Sequence, residues 1–169
     1  MSRWWRKTVS ATELSSGSVT TAKIAAAAVT TAKLGEDVLR SVDVTIAAAA
    51  MDTLAATPVE LVAAPGANKA VIVVGVALRK LAGAYGSVGA GDDMTVKIEN
   101  AAGATLATVE TAGFLDDAGE QFRWVQPTTT AAITPVANKA IVASIGGDID
   151  AAGGAVHARV YYRVVATNF

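Results

Sequence analysis

The stretch Ala155-Val156-His157-Ala158-Arg159-Val160-Tyr161-Tyr162-Arg163-Val164-Val165-Ala166 decides the fold. Its side chains alternate. Val156, Ala158, Val160, Tyr162 and Val164 share one face, and His157, Arg159, Tyr161 and Arg163 share the other. Successive residues of a strand point to opposite sides of a sheet, so a period of two with one apolar face marks a half-buried strand of an antiparallel sheet. Met94–Asn100 repeats the pattern, with Met94, Val96 and Ile98 opposite Thr95, Lys97 and Glu99. Asn100-Ala101-Ala102-Gly103 is a turn signal, and Ala104–Thr111 returns from it as the second half of a hairpin.

The other strands follow outward from these two. Val44–Ala48, Pro58–Ala63, Asn68–Leu81, Gln121–Gln126 and Lys139–Ile145 complete a set of eight. Gly75 interrupts a long apolar run and marks a bulge. Phe122 and Trp124 share one face of the sixth strand. Pro65-Gly66-Ala67-Asn68-Lys69-Ala70-Val71 is echoed by Pro135-Val136-Ala137-Asn138-Lys139-Ala140-Ile141. Each phrase reads as a turn feeding an apolar strand, at equivalent corners of two facing sheets. Eight strands in residues 44–169 predict a mainly β, antiparallel, jelly-roll-like sandwich. The loops 83–93, 114–120 and 127–135 are placed at its exposed end.

The front of the chain is different in kind. Val19-Thr20-Thr21-Ala22-Lys23-Ile24 recurs ten residues later as Val29-Thr30-Thr31-Ala32-Lys33-Leu34. A unit this short cannot bury its own apolar side chains and needs neighbours. Val19, Lys23, Ile24, Val29, Lys33 and Leu34 are therefore candidate oligomer contacts, on short helices or an extended arm, with a disordered Ala/Thr linker as the other reading. Ahead of the repeat, Trp4 and Trp5 sit among Arg3, Arg6 and Lys7. Trp is costly to leave in water. The cluster either anchors in a partner's groove or folds back onto its own oligomer. Residues 1–33 hold five basic side chains against Glu13 alone, which asks for an acidic or polar partner. Residues 1–43 are thus an arm, and residues 44–169 a β domain.

Composition bounds the chemistry. Hydrophobic residues make up 52% of the 169, but aromatics only 5%. The difference is largely 37 alanines, which bury little area each and favour added burial between subunits. A net charge of −1 gives no global pull toward nucleic acid or an anionic membrane. The longest apolar run, from Ala70 to Leu78, is too short to span a bilayer, and no secretory signal is visible. The absence of cysteine excludes a disulfide framework and a thiolate nucleophile. His157 is the one histidine, and it has no placed nucleophile beside it. With Arg159, Tyr161 and Arg163 it makes a candidate subunit interface, since Tyr and Arg are enriched at such surfaces. No catalytic residue, metal or cofactor is assigned. A glycan-cleaving enzyme would need Asp116 or Asp117 paired with Asp148.

The tandem repeat resembles the decapeptide repeats of tailed-phage head fibres and tail fibres. Thr57–Gly66, Asn68–Ala70, Gly113–Leu115, Asn138–Ala140, Gly147–Ile149 and Val160–Val165 resemble a small β-sandwich domain of phage structural proteins. Here Ala26-Ala27 stands where those repeats carry Asp-Gly between units. The resemblance implies a homotrimeric, non-enzymatic virion protein, made in the host cytoplasm and displayed on the capsid surface. It implies an N-terminal anchor on the major capsid protein; from charge and apolar-run length, no nucleic-acid or membrane partner is assigned. The short repeat implies a stubby projection, as in a capsid decoration protein, cement protein or short head fibre. The alternative is a tail-fibre or tail-tip protein whose loops bind a host surface glycan, with Tyr85 and Phe114 as the loop aromatics available for it.

Overall fold

The computed structural model describes residues 38–89, 91–127, 136–147, 149–150 and 153–168. The anchor cluster (3–7), the repeat (19–34), residues 128–135 and Asp148 lie outside the described residues. Residues 36–169 form one unit. Among the described residues it holds eight strands, β1 (Arg40–Ile46), β2 (Val59–Val62), β3 (Lys69–Lys80), β4 (Met94–Ile98), β5 (Thr105–Val109), β6 (Gln121–Val125), β7 (Ile141–Ile145) and β8 (Val156–Ala166), and one short helix, α1 (Ala48–Met51). They build two four-stranded antiparallel sheets, ordered β1-β8-β3-β6 and β2-β7-β4-β5.

The alternation read from the sequence decides what is inside. Val156, Ala158, Val160 and Val164 of β8 are buried, and Tyr162 is partly buried. Beside them lie Ile46 of β1 and Val76 and Leu78 of β3. These residues gather in one cluster with Met94, Val96, Ile98, Leu106, Ile141, Ala143 and Ile145 of the other sheet. Burial at roughly 25 cal/mol per Å² makes this shared core the main favourable term.

Two boundaries differ from expectation. The first strand begins at Arg40, not Val44, so residues 40–43 belong to the sheet and not to the arm. The polar side chains placed with the arm are the solvent half of an alternating strand, paired from Arg40↔Tyr162 to Ile46↔Val156. The ladder ends there, and Ala48–Met51 is helical where strand was expected to reach Ala48. A run of alanines ending in Met favours helix once no strand partner holds it extended. Met51 and the nearby Leu54 are fully buried.

Gly75 does mark a bulge. The β3–β8 register shifts between Val73 and Gly75, and Val74 is left exposed. The β4–β5 turn closes as read: Asn100 Oδ1 accepts from the Ala102 amide at 2.9 Å, and the Gly103 amide donates to Asn100 O at 3.0 Å. A Cβ at Gly103 would lie 1.7 Å from Ile98 O, so only glycine fits. The echoed phrases also meet. Asn68 (φ 58°) and Asn138 (φ 56°) both adopt the left-handed conformation that Asn tolerates. The Asn138 amide donates to Lys69 O at 2.8 Å, and Asn138 Oδ1 accepts from the Gly66 amide at 3.1 Å. One phrase feeds β3 and the other β7, on opposite sheets.

The loops are less exposed than expected. Tyr85 and Phe114 are 3% and 0% exposed, so neither is a loop-tip aromatic. The Tyr85 hydroxyl donates to Gly154 O at 2.5 Å, and burial pushes its pKa up to about 12. Lys80 closes β3 on its inner side and is fully buried. Its Nζ lies 3.1, 2.8, 2.8 and 3.0 Å from the carbonyls of Leu81, Gly83, Asp117 and Gly119. An ammonium has three N–H groups, so these four acceptors share them. Burial lowers its pKa, while the charges of Asp117 and Asp116 act the other way. The side chain thereby ties the end of β3 to the segment before β6. Lys80→Met keeps the stem but leaves those carbonyls without their donor. It should cost about 3 kcal/mol of unfolding free energy in a urea titration. A cost below about 1 kcal/mol would contradict the clamp.

Candidate binding face

The outer side of the β1-β8-β3-β6 sheet collects what the core rejects. The register builds its rows. Asp43 pairs Arg159, Arg159 pairs Ala77, and Ala77 pairs Trp124. Thr45 pairs His157, His157 pairs Arg79, and Arg79 pairs Phe122. Side chains directly opposite across antiparallel strands lie close enough to interact.

They do. Arg159 Nε and Nη2 donate to the two carboxylate oxygens of Asp43 at 2.6 and 2.8 Å. The hydrogen bonding from Arg159 holds the Asp43 carboxyl below its usual range. Arg159 in turn is raised, first by Asp43 and then by Tyr161. Arg79 Nε and Nη2 donate to Glu120 at 2.6 and 2.9 Å, which lowers the Glu120 carboxyl. Thr45 Oγ1 lies 2.9 Å from His157 Nδ1. Both ion pairs are about half exposed or more, so they add little to stability. They do fix two guanidinium planes on the sheet.

The aromatic half lies on β6. Phe122 is 61% exposed and Trp124 50%. Trp124 leans across β3 at Gly75, where an added Cβ would meet its Cζ2 at 2.5 Å. Its ring centroid is 5.5 Å from that of Tyr161, tilted by 57°. Arg123, between the two aromatics, faces the other way: Nη2 donates to Gly113 O at 2.5 Å, and the guanidinium lies 5.7 Å from the Phe114 ring centre. A groove of about 430 Å³ runs over this face, lined by Asp43, Thr45, Arg79, Phe122, Arg159 and Tyr161 among others.

His157, Arg159 and Tyr161, expected together from β8, all line this groove. Arg163 is exposed on the same strand but is not part of its lining. Asp43, Thr45, Arg79, Phe122 and Trp124 were not singled out from the sequence as site residues. The usable signal was the pair of aromatics flanking Arg123 on one short strand. Two of the loop aspartates bond the backbone. Asp116 Oδ1 accepts from the Gly113 amide and Asp117 Oδ1 from the Gly119 amide, each at 2.6 Å. Among the described residues no three His, Cys, Asp or Glu side chains are placed to hold a metal, and no helix is long and apolar enough to cross a membrane.

No protein-family model matches the chain, and no curated protein matches its sequence. Among solved structures it is similar to a chain described as the Cyanophage Pam1 capsid asymmetric unit. The two share 21% identity, over 74% of this chain and 81% of that one, with a TM-score of 0.37. A likeness that loose says nothing about the role of this face.

The ion pairs give a pH dependence of known sign. Asp43 has a lower pKa folded than its ordinary 3.8, so the unfolded chain binds the proton first as pH falls. The contribution of the pair is whole above about pH 4 and is lost as pH drops through the folded value. Asp43→Asn should therefore flatten the fall in unfolding free energy between about pH 5 and pH 2, measured by urea titration at each pH. An unchanged acid slope would contradict the pairing.

Proposed function

We propose that the protein is a non-enzymatic structural component of a phage virion, a capsid decoration protein or short head fibre. Its N-terminal arm docks on the major capsid protein, and its β domain projects as a homotrimer. The observation that carries this reading is the tandem repeat at 19–24 and 29–34, set ahead of a two-sheet β body. Repeat units too small to fold alone gain their partners from equivalent chains. The Arg3–Lys7 cluster with its two tryptophans supplies an anchor of the aromatic and arginine type that dominates binding energy at interfaces.

The strand pairing supports reading the body as a jelly roll. β1 pairs β8, β2 pairs β7, β3 pairs β6 and β4 pairs β5. That is the pairing of one long antiparallel ribbon, and wrapping it adds the β3–β8 and β4–β7 contacts. Rolls of this kind are rigid frames that occur in viral capsids.

Undecorated capsids and separated tails distinguish the readings. Each is mixed with the full chain or with a version beginning at Glu36, which leaves β1 whole. The full chain should bind capsids, and the shortened chain should not. Binding to tails alone, or capsid binding that survives the truncation, would overturn the proposal.

A further inference from the structure

We propose that the groove on the outer face of the β1-β8-β3-β6 sheet is an oligosaccharide-binding site. Pyranose rings stack on Phe122 in the groove and on Trp124, which is not part of the lining but packs against Tyr161 of it, and Arg79, Arg159 and Asp43 read their hydroxyls. The inference deepens the reading of a displayed β domain and rests on that face pointing away from the shell.

Gly75 lies beneath the indole of Trp124. Trp124 lies against this residue so closely that no Cβ fits beneath it, yet half of its surface stays open. Tyr161 supports its flank at 5.5 Å. The indole thus lies over Gly75 and against Tyr161 with half of its surface open to solvent. Phe122 stands two residues along the same strand, about 7 Å further on, and is more exposed still. The C–H face of a pyranose is apolar and its rim is hydroxylated. Its ligand needs are an aromatic floor and fixed polar neighbours.

The neighbours are fixed already. Each of Arg79 and Arg159 spends two N–H groups on a carboxylate, and a guanidinium has five. The donors left over point from planes that the ion pairs have locked, so little side-chain freedom is lost on binding. The carboxylate of Asp43 keeps acceptor capacity beyond its two bonds to Arg159. Nδ1 of His157 is turned to Thr45, and among the described residues Nε2 takes no hydrogen bond. The groove, about 430 Å³, is open to solvent and carries a few placed polar groups.

The same ion pairs weigh against a protein as the occupant. A dry interface would strip water from two charge pairs that are half exposed, a cost that can exceed what their attraction returns. A sugar replaces that water with hydroxyls and leaves the charges solvated by hydrogen bonds.

The test applies the full chain to an array of immobilised pyranose oligosaccharides that includes bacterial surface polysaccharides. The wild type should bind a subset of them. Trp124→Ala and Arg79→Gln should each weaken that binding at least about tenfold. No bound glycan, or binding unchanged in both variants, would overturn the site. Light scattering on Trp124→Ala should give the wild-type mass. A smaller assembly would assign the face to contacts between copies and would also overturn the site. Capsid binding is read in parallel with the same variants. Glycan binding without capsid binding would sink the decoration reading and leave the groove standing. Capsid binding without glycan binding would do the reverse.

Discussion

The ladder between β3 and β8 is the constraint on which the rest depends. Eleven positions are paired, from Lys69↔Ala166 to Lys80↔Val156. A strand has a side-chain period of two, so a slip of one residue would exchange its faces. The observed register turns Val156, Ala158 and Val160 to the core and His157, Arg159 and Tyr161 to the groove. The bulge at Gly75 adds a change of parity within β3. Below it the buried valines are Val71 and Val73. Above it Val76, Leu78 and Lys80 are buried. One extra residue, Val74, keeps both halves of a twelve-residue strand facing the core. The same glycine leaves the space that Trp124 fills. Core and binding face are two consequences of one register.

The two faces follow different energetic rules. The core is built mainly from Val, Ile, Leu, Ala and Met, and among the described residues its one buried cation is Lys80, satisfied by carbonyls. Its cost is offset only if every polar partner is in place. The outer face carries its charges half in water, where ion pairs add little stability but hold geometry. Its cations are arginines, whose planar forks hold two bonds to one carboxylate where a lysine would hold a point contact.

Much of this was legible in the sequence. Seven of the eight strands lie within two residues of where period-two alternation or apolar runs put them, β1 is displaced toward the N-terminus, and the two Asn-Lys phrases do feed opposite sheets. The Gly75 bulge was also readable, because a lone glycine in a long strand has few other uses. The misreadings share a cause. Arg40, Ser41 and Asp43 are polar, and only the partner strand shows that they are half of a strand. Tyr85 and Phe114 lie in loops, which suggested exposure, yet the loops fold back and close the end of the core. In β6 the sequence fixes that Phe122 and Trp124 share a face but not which one. The answer depends on Arg123, which turns toward Gly113 and Phe114. The groove joins residues 43, 79, 122 and 159, a juxtaposition set by strand order and not by spacing.

The most direct measurement is amide hydrogen exchange on the full chain, alone and bound to undecorated capsids. New protection is expected within residues 1–35, with exchange in β6 and in the His157–Tyr161 part of β8 unchanged. Protection appearing at β6 and β8 instead would place the shell on the outer sheet face. That result would contradict both the arm as anchor and the groove as a displayed site.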